Sequence, residues 1–387
     1  MHILIFAEQH PMTLGGAQVS MLLQAKFLKR LGHTVTFVSP AKATGPVADS
    51  DFIDLPSNRI PGVREYTWIW PTERLLGIVE ERLVSKPPVD LVHVQSDFWG
   101  AALGFRFARR KSLPLVYGLH NRLDVGIDSA FPFPGLLYRV LGAWQRFGLG
   151  YSGERIPRDA FGFFRNYAKN ADAVVAPSKH FANLLKLKGV SPANGGEIDV
   201  VPTGVDDDMI EEIRPGDGNA EPYIVWLGRF SPEKRLLEFL EALPLLKKRV
   251  RVCVIGGGRL ERKAKLLAPA NVEFLGSVSH REAIDYIAGA TALIQSSNGF
   301  ETQGMTVTEA VAVGTPVVLV DQQVAGELPA GTYILAKDDS VASLANAIDE
   351  VLLSAVKPNG SRKIVSDLNQ SKLTERMLKI YERLLSR

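Results

Sequence analysis

The chain of 387 residues contains one cysteine, Cys253. This excludes an intrachain disulfide and a multi-cysteine metal site, and it is typical of a protein that works in a reducing compartment. The sequence also lacks an uninterrupted apolar stretch of about 18 residues, the length of a transmembrane helix. Residues 1–7 lack the basic region and cleavage site of a signal peptide. We therefore expect a cytoplasmic protein that contacts a membrane only peripherally, if at all.

An excess of charge of one sign is also missing, since 45 Lys and Arg face 42 Asp and Glu. This balance is not typical of a nucleic-acid-binding protein, and we expect no nucleic-acid partner. The positive charge is local, because residues 139–188 contain nine Lys and Arg against three Asp and Glu, interleaved with aromatic residues. Such a surface suits an anionic lipid leaflet. The alternative is an ordinary pair of amphipathic helices with a solvated face.

Short β-rich runs alternate with helical patterns in both halves of the chain. The first half begins with a strand pattern at residues 3–6 and returns to one at residues 34–38. The pattern restarts at residues 223–227 and continues into a helix that we predict over residues 232–248. This alternation favours parallel sheets wrapped by helices. Because 46% of the residues are apolar, the chain can fill two cores. We predict an α/β protein with two Rossmann-like, doubly wound domains.

We place the N-terminal domain at residues 1–205 and the C-terminal domain at residues 206–365. The polar, glycine-rich residues 214–222 are interpreted as a hinge-side loop. Apolar residues at helical spacing within residues 366–387 predict a C-terminal helix that packs back toward the first domain. Ligands of doubly wound sheets bind beyond the carboxyl ends of the strands. We therefore expect the functional residues in those loops, along a cleft between the domains.

Two glutamates, Glu301 and Glu309, lie where a predicted strand leads through a glycine-bearing loop into a helix. Their carboxylates suit neighbouring hydroxyl groups of a sugar and a ribose. The backbone amides at the start of the helix suit a diphosphate, because a helix N-terminus attracts anions. These amides belong to Gln303, Gly304, Met305 and Thr306. The alternative is that the two acids merely favour the helix dipole.

Two basic residues, Arg229 and Lys234, follow the strand predicted at residues 223–227. An arginine can direct two donors at phosphate oxygens, and a lysine adds a compact positive charge. Fixed cations stabilise the negative charge that develops on a departing diphosphate, and they can replace a metal ion in that role. The alternative is a basic, solvated helix start.

Other candidates stand at the ends of predicted strands. Gly15 and Gly16 precede the first helix, where their amides can approach a phosphate or where glycine can serve packing alone. Gly256 and Gly257 follow a strand of the second half without the spacing of a dinucleotide fingerprint. His120 follows a strand of the first half, and its alternative is a structural histidine.

The motif around Glu301 and Glu309 resembles the retaining glycosyltransferase family 4, whose members have the two-domain GT-B fold. The resemblance implies that Glu301 contacts the donor sugar and that Glu309 contacts the ribose. It assigns Arg229 and Lys234 to the diphosphate. Arg235 departs from the family pattern, because glycine is common at this position in relatives.

The resemblance also extends to weaker segments. It implies that Gly256 and Gly257 form a donor-side loop and that the backbone of Ser277 and Val278 contacts the nucleotide base. It places His120 beside the donor sugar, without establishing a general base. Front-face attack, in which the leaving phosphate helps to deprotonate the acceptor, is the implied mechanism.

Acidic residues at positions 206–208 have the spacing that binds a divalent ion in the other glycosyltransferase fold. We interpret them as a helix cap and surface turn, because they follow the domain boundary. The resemblance therefore implies a metal-independent enzyme without a cofactor.

The resemblance implies transfer of a hexose from a nucleotide diphosphate sugar, with UDP-glucose or GDP-mannose preferred. Residues 301–306 also resemble glycolipid synthases, which favours a membrane glycolipid or a lipid-linked glycan as the acceptor and a peripheral location on the inner face of the plasma membrane. Two alternatives stay open. One is a nucleotide-sugar epimerase of the same fold, and the other is a non-catalytic subunit that binds a nucleotide sugar.

Overall fold

The computed structural model describes residues 1–13, 15–60, 66–130, 133–149, 156–212, 221–353 and 367–386. The chain divides into two compact units, one formed by Met1–Thr203 with Leu373–Arg387 and the other by Gly204–Lys372. Most of the predicted hinge-side loop, residues 214–220, lies outside the described part of the chain. Within that part, no helix has the length and apolar character needed to cross a membrane.

The first unit is built on a parallel sheet. Its strands and a small antiparallel pair are β1 His2–Ala7, β2 Thr34–Pro40, β3 Phe52–Leu55, β4 Asn58–Arg59, β5 Thr67–Trp68, β6 Leu91–Gln95, β7 Leu115–Gly118, β8 Ala173–Ala176 and β9 Asp199–Val200. In the described residues the sheet order is β3-β2-β1-β6-β7-β8-β9, and β4 pairs with β5. The helices are α1 Gly16–Arg30, α2 Glu73–Leu83, α3 Trp99–Lys111, α4 Leu123–Ala130, α5 Pro134–Leu149, α6 Ala160–Ala168 and α7 Lys179–Leu187.

Helices cover both faces of this sheet. In β1, Leu4 and Phe6 point into one core, whereas Ile3 and Ile5 point into the other. Because successive side chains of a strand face opposite sides, a strand buried on both faces must be apolar throughout. This explains why β1 is a continuous apolar run from Ile3 to Ala7 rather than an alternating one.

The second unit has its own parallel sheet. Its strands are β10 Tyr223–Leu227, β11 Arg251–Ile255, β12 Val272–Gly276, β13 Ala292–Gln295, β14 Val317–Leu319 and β15 Tyr333–Leu335. The helices are α8 Asp207–Glu212, α9 Leu236–Ala242, α10 Glu261–Leu267, α11 His280–Gly289, α12 Met305–Ala312, α13 Gln322–Ala325 and α14 Val341–Leu353. The order β12-β11-β10-β13-β14-β15 reverses between β10 and β13. Ligands of doubly wound sheets bind beside such a reversal.

The helix predicted over residues 232–248 is interrupted. A 3-10 turn covers Pro232–Lys234, α9 follows, and a second 3-10 turn covers Leu243–Leu245. Arg235 between the first two has φ of 54°, in the left-handed region that disfavours side chains with a Cβ. Pro244 has no amide hydrogen and does not continue an α-helix. A left-handed backbone at this position suits glycine, the residue that the family resemblance implies there.

The C-terminal helix, α15 Gln370–Leu385, contributes its buried face to the first unit. Met377, Ile380, Tyr381 and Leu384 are buried in the core that contains Ile3 and Ile5. The apolar stripe at helical spacing is therefore the packing face of this helix.

We predict that Ile380→Ala lowers the free energy of unfolding by about 3 kcal/mol, because it removes buried methylene groups and leaves a cavity. Lys379→Ala on the exposed face of the same helix is the matched control and should change stability little. Chemical denaturation of the full chain measures both variants. Equal stability of the two would contradict this packing.

Candidate active site

The candidate donor-binding residues lie at one edge of the second sheet. Residues 228–231, 256–258, 277–279 and 296–304 follow β10, β11, β12 and β13, respectively. These strands are neighbours and parallel, so their carboxyl ends meet at the same edge. The loops contact each other, since the Phe230 amide donates to the Gly257 carbonyl at 2.9 Å.

Glu301 and Lys234 are in direct contact at this edge. Lys234 Nζ donates to Glu301 Oε1 at 2.5 Å, and the two side chains are only 17% and 11% exposed. The same carboxylate oxygen accepts from Gln295 Nε2 at 3.1 Å and from Ser297 Oγ at 2.9 Å. Lys234 Nζ also lies 5.1 Å from the centre of the Phe300 ring. The structure therefore brings together two residues that are separated by 67 positions.

The buried residue Ser296 connects the segment after β13 with β10 and with the turn that follows β10. The Ser296 hydroxyl accepts from Trp226 Nε1 at 2.9 Å and faces the carbonyl oxygens of Lys234 and Arg235 at 2.9 and 3.0 Å. Trp226 is fully buried in β10, and Ser296 follows β13. The position of Lys234 is thus tied to the same strand that leads to Glu301.

Glu309 is paired with a residue that sequence reasoning missed. His280 Nε2 lies 2.7 Å from Glu309 Oε1. This hydrogen bond raises the pKa of His280, and partial burial opposes the rise. The sequence contains one local signal for the helix start, because Ser279 and Glu282 form a capping box at the beginning of α11. That signal places His280 in the first turn but does not reveal Glu309 as its partner.

The start of α12 has the backbone expected of an anion-binding turn. Gly304 precedes the helix with φ of 82°, a left-handed conformation that glycine adopts without strain. Met305 and Thr306 form the first turn, whose amides have no partners within the helix. Gln303 and Thr306 are half-buried, so this turn is partly exposed to solvent.

Gly256 and Gly257 follow β11 and differ in whether the packing requires glycine. A Cβ on Gly256 would lie 2.0 Å from the Gly228 carbonyl oxygen, so the close approach of two backbone segments requires glycine there. A Cβ on Gly257 would meet only Ser277 Oγ at 3.9 Å. Packing alone accounts for Gly256. Ser277 and Val278 follow β12 in the neighbouring loop.

Of the remaining candidates, Arg229 belongs to the second unit and three others belong to the first. Arg229 is exposed and has no charged partner within the described ranges. Gly15, Gly16 and His120 belong to the first unit, where they follow β1 and β7. Burial lowers the pKa of His120 to about 4, so its imidazole is neutral near pH 7. A neutral imidazole offers one donor and one acceptor.

The acidic residues at positions 206–208 form hydrogen bonds within the second unit. The Asp207 carboxylate accepts from the Ser371 hydroxyl at 2.6 Å, and Asp206 accepts from the Asp208 amide at 3.2 Å. Across the part of the chain that is described, no group of three or more His, Cys, Asp or Glu is placed to hold a metal ion. Independence from a metal stays a prediction.

We predict that His280→Gln destabilises the protein more at about pH 5.5 than at about pH 8.5. A histidine whose pKa is raised in the folded state contributes stability below its ordinary pKa of about 6.5 and loses it as the pH rises through the folded value. Denaturant titration at both pH values measures the difference. In a Glu309→Gln background the pH dependence should vanish, and its persistence would show that another group causes it.

Comparison with known proteins identifies the family of the chain. The family model described as Glycosyltransferase Family 4 matches residues 14–209, and the model described as Glycosyl transferases group 1 matches residues 209–365. Alpha-monoglucosyldiacylglycerol synthase of Acholeplasma laidlawii is 25% identical over 82% of this chain and 80% of its own length. The protein of the same name from Streptococcus pneumoniae is 24% identical over 98% of this chain and 82% of its own length.

Solved structures agree on the fold. Alr3699/HepE of Anabaena, crystallised in complex with UDP and glucose, superposes with a TM-score of 0.70. It is 18% identical and covers 99% of this chain and 100% of its own. The predicted GT-B architecture of two doubly wound sheets is confirmed. The chain belongs to glycosyltransferase family 4 and is a hexosyltransferase.

Proposed function

We propose that this enzyme transfers glucose from UDP-glucose to a lipid acceptor at a membrane surface, with retention of the anomeric configuration. The observation that carries the proposal is the contact of Lys234 with Glu301 beside the start of α12. Two relatives named for glucosylating a diacylglycerol lipid support the acceptor class. A structural neighbour that holds UDP and glucose supports the donor over GDP-mannose.

The charges of the edge suit a sugar diphosphate. Lys234 has three donor hydrogens, so it can keep its contact with Glu301 while it binds a phosphate oxygen. The first-turn amides of α12 and the exposed Arg229 add donors for the same group. These groups would stabilise the charge that develops on the departing UDP, and we propose that no metal ion is needed.

The two glutamates suit the neutral parts of the donor. One oxygen of Glu301 is held by three donors, which orients the carboxylate for hydroxyl groups of the glucose. Glu309 is oriented by His280 in the same way, and we assign it to the ribose. For the bond exchange we propose front-face attack, in which the acceptor hydroxyl passes its proton to the leaving phosphate.

An exposed apolar surface on the first unit supports a lipid acceptor. Phe133, Leu136, Val140 and Phe147, here called the α5 face, lie at helical spacing and are at least 59% exposed. Arg139 is exposed between them. An ordinary amphipathic helix turns its apolar side inward, whereas this one turns large apolar side chains outward with a cation beside them. This combination suits the interface of an anionic membrane.

We predict that Glu301→Gln and Lys234→Met each lower kcat by at least about a hundredfold while the fold is retained, because each removes a contact to the transferring sugar or the diphosphate. Release of UDP from UDP-glucose, with diacylglycerol in mixed micelles and EDTA present, measures transfer. Release that depends on the acceptor also distinguishes a transferase from an epimerase.

The matched control is the exposed ion pair of Lys265 and Glu261 on α10, with Nζ and Oε1 2.7 Å apart. Lys265→Met and Glu261→Gln should leave turnover unchanged. Near-normal turnover of Glu301→Gln or Lys234→Met would contradict the assignment of these residues to the active site. Retention is tested by the anomeric proton coupling of the product in NMR.

We predict that the double variant Leu136→Glu/Phe147→Glu weakens binding to vesicles of phosphatidylglycerol and phosphatidylcholine about tenfold or more, because it removes two apolar side chains from the interface and adds negative charge. Vesicle sedimentation measures binding. Leu187→Glu, at a comparably exposed leucine on α7, is the control and should have a small effect. Equal loss in both variants would show that the α5 face has no special role.

A further inference from the structure

Four buried polar side chains form a continuous hydrogen-bonded relay inside the first unit. Gln95 Nε2 donates to Gln24 Oε1 at 2.9 Å, and Gln24 Nε2 donates to the Tyr381 hydroxyl at 3.2 Å. The Tyr381 hydroxyl lies 2.7 Å from His93 Nδ1. Each of these side chains is at most 8% exposed. The relay thus joins α1, β6 and the C-terminal helix α15.

One assignment of the hydrogens gives the Tyr381 hydroxyl proton an acceptor. Tyr381 accepts from Gln24 Nε2, and it donates to His93 Nδ1 when that nitrogen carries no hydrogen. We infer this assignment, in which the ring hydrogen of His93 lies on Nε2. Burial lowers the pKa of His93 to about 3, so the ring is neutral in this arrangement.

Both ends of the relay are without a partner in the described part of the chain. His93 Nε2 is a buried donor, and Gln95 Oε1 is a buried acceptor, and neither has a hydrogen-bond partner there. A buried donor or acceptor without a partner is costly, so these two atoms indicate a bound group.

The side chains of His93 and Gln95 both lie beside Gly118, at the carboxyl end of β7. A Cβ on Gly118 would lie 3.0 Å from His93 Nε2, 3.4 Å from Gln95 Cγ and 3.4 Å from His120 Nε2. Glycine at this position keeps the space between the two histidines free of a side chain. The open His93 donor and the Gln95 side chain therefore both adjoin this position, next to His120.

We propose that His93 and Gln95 bind one neutral hydroxyl group of a substrate beside His120, and that Tyr381 is a positioning residue for this site. A hydroxyl group accepts from His93 Nε2 and donates to Gln95 Oε1 at the same time. An anion would face the Gln95 carbonyl, and a cation would face the His93 hydrogen, so a charged ligand fits less well. This inference rests on the proposed function, because the sugar donor and the acceptor supply the hydroxyl groups.

The positioning role of Tyr381 is tested without any activity. In protein labelled with 15N-histidine, the His93 ring should show hydrogen on Nε2 between about pH 5 and pH 8. Tyr381→Phe should remove this tautomer preference, whereas Tyr167→Phe, at another buried tyrosine of the unit, should keep it. Hydrogen on Nδ1 in the unaltered protein, or the same spectrum in Tyr381→Phe, would overturn the relay.

The hydroxyl site is tested by steady-state kinetics of the full chain with UDP-glucose and diacylglycerol. Gln95→Leu should lower kcat/KM about tenfold, and Tyr381→Phe about threefold, for the substrate that supplies the hydroxyl group. A rise of KM for UDP-glucose assigns the hydroxyl to the donor, and a rise for diacylglycerol assigns it to the acceptor. Values equal to those of Tyr167→Phe for both substrates would overturn the site, with a bound water as the remaining occupant. Should the unaltered enzyme transfer no glucose, the proposed function fails, while the histidine spectra still decide the relay.

Discussion

The parallel pairing of β10, β11, β12 and β13 is the constraint on which the candidate site depends. Parallel strands bring all their carboxyl ends to one edge, so the loops after these strands meet although they are far apart in sequence. The reversal of strand order between β10 and β13 separates the crossovers and leaves room beside the loops. The contact of Lys234 with Glu301 exists because these two strands are neighbours.

The charged side chains at this edge are partly buried, and this burial requires that they be paired. Partial burial of a lysine and a carboxylate costs free energy unless each is paired and hydrogen-bonded. Glu301 meets this requirement with Lys234, Gln295 and Ser297, and Glu309 meets it with His280. The same contacts orient the carboxylates, so stabilisation and preorganisation come from one set of bonds. Family membership makes the chain a glycosyltransferase, while the donor, the acceptor and retention belong to the proposal.

The first unit also contains buried polar side chains that are stabilised by hydrogen bonds to each other. Its sheet is apolar on both faces, yet β6 carries His93 and Gln95 into the side covered by α1 and α15. Polar groups in such a place persist when they are linked to each other, as these are through Gln24 and Tyr381. The C-terminal helix is therefore more than an apolar cover, because its buried Tyr381 hydroxyl is hydrogen-bonded to His93.

The sequence by itself determined the class of fold, since alternating strand and helix patterns leave few ways to bury two apolar faces. It also offered Glu301, Glu309, Arg229 and Lys234 as candidates, because the transition from a strand through a loop to a helix is marked by neighbouring residues. It did not reveal the break at Arg235, where the helical pattern of residues 232–248 continues through a left-handed residue. Nor did it reveal His280 as the partner of Glu309, or Tyr381 as the partner of His93, 288 positions away. Only the tertiary structure decided these contacts, because a hydrogen bond between distant residues depends on strand order and helix packing, which no local pattern of residues encodes.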